Sequence, residues 1–151
     1  MLLATGLSAL AGFVDATGFL MLGGYFVSFM SGNTTKLAVG LAGETRPAAI
    51  AGGLIAAFVA GAITGEFARR SAQKHKASAV LGVVALVLTI SALLGMSGHS
   101  GVAAAAMALA MGAANDALQG EGDIHLGLTY VTGTLVKFGQ HLVAAIMGGP
   151  R

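Results

Sequence analysis

The chain has no cysteine, which removes disulfide staples, thiolate metal sites and cysteine nucleophiles together. Charge is scarce as well, at 9% of residues against about 25% in an ordinary soluble domain. The formal net charge of +2 is small and scattered, which excludes a nucleic-acid footprint. Catalytic signatures are missing too: there is no HExxH, no G-x-S-x-G elbow, no P-loop and no Rossmann fingerprint. No nucleophile, base and orienter can be assembled, so no enzyme, catalytic residue, cofactor or metal site is expected. The stretch "SGNTTK" has glycine, threonine and lysine but lacks the GK[ST] ending of a phosphate cradle. No basic region precedes the first apolar run, so a cleaved signal peptide is not expected.

What remains is apolar. Hydrophobic residues make up 56% of the 151 positions, and the mean hydropathy is +0.84. Several runs approach the roughly 20 residues that cross a bilayer. The 24 glycines lie inside these runs while prolines number only two, a pattern of close helix packing in lipid. The expected fold is all-α, a polytopic transmembrane bundle forming a single domain over residues 1–151. Six spans are expected, at 2–22, 25–42, 47–65, 77–96, 102–118 and 126–147. In the third, Ala49, Gly53, Ala57, Gly61 and Gly65 recur every fourth position and read as a packing stripe.

Lysine and arginine in short connections favour the cytoplasm. The connection at 69–76, with Arg69, Arg70, Lys74 and Lys76, is the basic one. Placing it inside puts the N-terminus outside, the Gly23-Gly24 turn inside and Gly98 outside.

Shifting the chain by 101 positions superposes Asp15 on Asp116, Ser31 on Thr132, Gly32 on Gly133 and Lys36 on Lys137. One residue off, Gly12-x-x-Asp15 matches Gly112-x-x-Asn115, so Asn115 and Asp116 are alternative counterparts of Asp15. With two spans between them, the matching hairpins would share one membrane orientation, as in parallel-repeat transporters. The repeats would be 1–97 and 98–151, the second truncated, as in a fragment or a protein completed by association.

"AGFVDATGFLMLGGYFVSFMSGNTTKL" near the start and "TYVTGTLVKFGQ" late in the chain resemble the YoaK-like family of uncharacterised bacterial membrane proteins. That resemblance implies an integral inner-membrane protein of unassigned activity and transfers no functional residues. It also implies further apolar segments beyond Arg151, and an amide followed by alanine is more usual where this chain has Asn115-Asp116.

Asp15 and Asn33 stand nine positions either side of Gly24. A tight helical hairpin would bring them to one level, roughly 13 Å from the turn and within the hydrocarbon. Lys36 shares a face with Asn33 and would reach Asp15 if its helix tilts. A lone charge at that depth costs several kcal/mol, about 2.5–3.5 on insertion scales, so pairing or a watery cavity is the expected setting. The expected pathway is lined by Asp15, Asn33, Thr34 and Lys36 with Asn115, Asp116, Thr132, Thr134 and Lys137, and Gly32 and Gly133 are candidate helix interruptions. Asp15 is the candidate proton or cation carrier. The competing reading is packing: serine, threonine and asparagine bond neighbouring helices for about 0.6 kcal/mol on average, and lysine snorkels. His99, His125 and His141 have no metal-ligand spacing, and Glu121 with Asp123 reads as a solvated acidic turn. The function expected is transport of a small solute or ion through a multi-pass protein of the inner membrane. The alternative is a non-transporting scaffold or assembly protein. The partners expected are the lipid bilayer and the solute, with self-association open and no nucleic acid.

Overall fold

The computed structural model describes residues 2–43, 45–72 and 75–115. These form five helices and no strand: α1 Leu2–Met21, α2 Met30–Ala42, α3 Thr45–Ser71, α4 Lys76–Met96 and α5 Ser100–Ala114. Two of them, α3 with 27 residues and α4 with 21, are long and apolar enough to cross a membrane. The sixth expected span lies outside the described residues.

Glycine ends α1 and α4 in the same way. Gly23 and Gly24 take φ of +63° and +111°, and Gly98 takes +85°, conformations that cost a side chain its Cβ clearance. The reversed chain then caps each helix end, with Gly24 N–H donating to Phe19 O at 2.8 Å and His99 N–H to Leu94 O at 3.0 Å.

Helix α5 is the centre of the bundle, flanked by α3 and α4 and touched by α1. Its buried residues are Ala103, Ala104, Met107, Ala108 and every position from 110 to 114, so its C-terminal part is enclosed on all sides while its first turn, with Val102, is exposed. Alanine and glycine there let backbones approach. A Cβ on Gly61 of α3 would overlap the Leu109 carbonyl, and one on Gly112 would overlap the Phe58 carbonyl. Between α4 and α5, buried Ser91 donates Oγ–H to Ala103 O at 2.7 Å.

The expected stripe on α3 holds only in part. Gly61 and Gly65 are buried, but Ala49 and Gly53 are exposed, and the inner face there is Ala48, Ala51 and Leu54. Positions four apart advance about 40° around a helix, so five of them sweep through about 160°. A packing face follows steps of three and four alternately.

Contacts fix the direction of each element. Residues 24–28 run back along α1: Phe26 stacks on Phe19 with ring centroids 5.1 Å apart. Val27 packs over Gly18, and Val27 and Ser28 bond Asp15. Helix α2 then climbs beside that segment, with Asn33 against Phe26 and Lys36 against Tyr25 and Gly24. It therefore runs in the same direction as α1. Helix α3 reverses it, since Leu37 lies nearest Gly52 and Gly40 meets Ala48. Helix α4 reverses again and so runs with α1. An independent contact agrees, because Met21 reaches Gly95, and Val14, Thr17 and Met21 share one groove with Leu88, Ser91 and Gly95.

Three expectations change with this path. The second span is not a crossing helix: residues 22–29 are non-helical and dip to the level of Asp15, and α2 returns toward the end from which the chain came. The Gly23-Gly24 turn consequently lies at the Gly98 end of the bundle, opposite the Ser71 end, not on the side of the basic connection. Finally, α1 runs with α4 and α5 runs against it, so any duplication pairing α1 with α5 relates elements of opposite direction. The same-orientation repeat rested on counting a crossing that is not made.

Candidate functional site at the tip of a re-entrant segment

The tip is made by backbone that no helix serves. The N–H groups of residues 26–28 lie outside any helical ladder, yet Val27 is 0% and Ser28 4% exposed. A buried peptide group without a partner costs about as much as a lost hydrogen bond, so side chains must supply the bonds. Asp15, halfway along α1, does so with a single oxygen: Oδ1 accepts the Val27 N–H at 2.7 Å and the Ser28 N–H at 2.8 Å. Asn33, in the first turn of α2 and 0% exposed, serves the other side. Its Oδ1 accepts the Phe26 N–H at 3.0 Å, and its Nδ2 donates to Phe26 O at 2.6 Å.

Small residues flank the segment because it must fit between two helices. A Cβ on Gly18 would press into the Val27 side chain, and one on Gly32 into the rings of Phe26 and Phe29. Phe26 stands at the centre of an aromatic row, 5.1 Å from Phe19 and 5.2 Å from Phe29 between centroids. The tip is thus a carboxylate and an amide holding one short stretch of chain in an otherwise apolar setting.

Among the described residues, Asp15 Oδ2 meets no hydrogen-bond donor. Beside it opens a recess of about 590 Å³ lined by Gly12, Asp15, Ala16, Phe19, Leu20 and Phe26. The carboxylate therefore has two unlike oxygens. One is committed to the backbone, the other is not, and the residue borders an apolar recess where a proton or a small cation is a natural partner for a carboxylate.

The model of the family described as "Protein of unknown function (DUF1275)" matches residues 3–151, nearly the whole chain. The chain belongs to the DUF1275 family. It is also similar to a UPF0700 transmembrane protein of Rhizobium meliloti (strain 1021), with 35% identity over 147 residues. That match covers 97% of this chain and 63% of the relative. No solved structure matches the chain. The expectation of an uncharacterised membrane family is met, and apolar helices with a relative named as transmembrane place this DUF1275 chain in a membrane.

The DUF1275 chain brings together only part of the expected site. Asp15 and Asn33 do meet, but through the backbone of residues 26–28 that each one bonds. Lys36 does not pair with Asp15. Its Nζ lies 5.1 Å from the Tyr25 ring centroid, near Gly24, because a helical side chain leans toward its own N-terminus and here snorkels to the turn. Gly32 is not a helix interruption, since α2 is continuous through it and the break lies upstream at 22–29. Thr34 and Thr35 are exposed and bond the Met30 and Ser31 carbonyls of their own helix.

Asn115, partly buried at the end of α5, donates Nδ2–H to Met111 O at 2.9 Å. Asp116, Thr132, Gly133, Thr134 and Lys137 lie outside the described residues. The residues that sequence reasoning passed over are Tyr25, Phe26, Val27 and Ser28, which were counted as the first turns of a helix. A signal was present in "GGYFVSF", where two glycines precede four aromatic or β-branched residues of mediocre helix propensity.

Proposed function

We propose that this chain is a carrier or channel-like transporter of a small solute or ion, with the re-entrant tip as part of its pathway and Asp15 as the group that meets the transported species. The observation that carries this reading is the dip of residues 22–29, held at the level of Asp15. Non-helical backbone at membrane depth is tolerated only where protein buries it or where it lines a watery space. Discontinuous helices of this kind form the binding sites of secondary transporters. The uncommitted Oδ2 and the recess that Asp15 borders add an acceptor at that point.

The antiparallel course of α1 and α5 supports the same reading from another direction. If the polar matches between the segments around Asp15 and around Asn115-Asp116 reflect duplication, the repeat is inverted, with its axis in the membrane plane, as in many carriers. We place the chain in the inner membrane as a multi-pass protein with the 69–76 connection in the cytoplasm. The N-terminus then shares that side, and the Gly23-Gly24 and Gly98 turns face out. No bond-making chemistry is part of this proposal.

The test is flux into proteoliposomes of the full chain, with protons, Na⁺ and K⁺ as probes, compared with protein-free liposomes. Asp15→Asn keeps an acceptor oxygen for Val27 and Ser28 but removes the charge. Flux above the protein-free level that falls at least about tenfold in Asp15→Asn, at unchanged folding, is the expected result; tenfold corresponds to about 1.4 kcal/mol. Flux of all three probes equal to that of protein-free liposomes overturns the proposal and leaves the scaffold reading.

A further inference from the structure

Away from the tip, the outward face of α3 carries a row that no other described element covers. Val59, Ile63 and Phe67 follow one another at four-residue steps and are 51%, 54% and 68% exposed. With Phe58 and Ala62 they line a groove of about 490 Å³ whose rim is formed by Glu66 and Arg70. From Phe58 to Arg70 the groove runs about 18 Å along the axis, close to the half-thickness of the hydrocarbon, about 15 Å. It is as long as one leaflet and ends in a cation.

The charged end is ordered. Glu66 takes a forked pair of bonds from Arg69, Nε to Oε2 at 2.6 Å and Nη2 to Oε1 at 2.8 Å, and Oε1 also accepts Arg70 Nε–H. One carboxylate thus holds two guanidiniums. Arg70 is 76% exposed along its side chain and commits only Nε among the described residues, so its Nη edge is presented outward. His75 and Lys76, both exposed, lie at the same end of the bundle.

An apolar row one leaflet long, ending in a guanidinium with Lys76 at the same end of the bundle, is complementary to one molecular class. We propose that this groove binds a single anionic phospholipid, its acyl chain along Val59, Ile63 and Phe67 and its phosphate on the Arg70 guanidinium. A planar guanidinium suits the phosphate's paired oxygens. A zwitterionic lipid fills the apolar row equally well but gains less at the rim, since its own ammonium opposes Arg70.

The test uses the full chain in nanodiscs of phosphatidylcholine with phosphatidylglycerol, followed by native mass spectrometry of the lipid retained. Preferential retention of phosphatidylglycerol is expected. Arg70→Gln should weaken it about fivefold, the worth of one arginine at an anionic surface. Phe67→Ala should weaken it with the charge intact, and Arg70→Lys should restore part of what Arg70→Gln loses. Arg46→Gln removes a charge at the far end of α3 and should change nothing. Equal retention of the two lipids, no effect of Phe67→Ala, or the same loss in Arg46→Gln as in Arg70→Gln overturns the proposal. Melting temperatures in lipid-free detergent confirm that each variant is folded. A loss confined to Arg70→Gln and Phe67→Ala, with proton and cation flux unchanged, shows that lipid binding stands apart from the proposed transport.

Discussion

The side-chain amide of Asn33 bonds both polar groups of one residue, accepting from the N–H of Phe26 at 3.0 Å and donating to its C=O at 2.6 Å. The pair does the work of a strand bridge where no strand exists. Asn33→Leu loses both the acceptor and the donor and leaves two buried peptide groups unpaired. At about 1–3 kcal/mol for each buried group left unsatisfied, it should be strongly destabilising, whereas Thr34→Val, which removes only an exposed bond within α2, should cost far less. Thermal unfolding in detergent measures the order, and equal melting temperatures for Asn33→Leu and the native chain would refute it.

Asp15 separates charge from scaffolding. Asp15→Ala strips both Val27 and Ser28 of their acceptor and should lower stability by on the order of 3 kcal/mol. Asp15→Asn should lower it by less than half as much, because an amide oxygen can receive the same two N–H groups. If the two variants melt together, the two bonds to Oδ1 are not what holds the tip.

The re-entrant path makes a topological prediction, and the lack of native cysteine makes it clean to read. Single cysteines at Leu22, Arg46 and Ser97 should react with an impermeant maleimide from one side of the membrane, and Ala72→Cys from the other. A continuous second span would instead put positions 22 and 72 on the same side.

Gly61 and Gly112 mark where α3 and α5 touch through their backbones. Gly61→Ala and Gly112→Ala force the helices apart and should each lower the melting temperature. Gly53→Ala, where a Cβ meets nothing within 4 Å, should be neutral or slightly stabilising through helix propensity, by up to about 1 kcal/mol. A ranking in which Gly53→Ala is the worst of the three would contradict the placement of α5 against α3.

Local chemistry determined a good deal from the sequence alone. Apolar runs without charge read as helices, and α1, α3 and α4 begin and end within a few residues of expectation, save that α3 continues to Ser71 through "EFARR", whose ion pairs are helical neighbours. Asp15 and Asn33 were marked by being polar where lipid would penalise them, and both lie at the tip. The tertiary structure decided what they bond and which way the chain runs. A hydropathy run such as 25–42 is equally apolar whether it crosses or dips and returns, since burial removes apolar surface from water without regard to direction. Only the bonds from Asp15 and Asn33 to residues 26–28 choose between those paths. With that choice go the side of the Gly23-Gly24 turn, the separation of Lys36 from Asp15 and the opposed courses of α1 and α5.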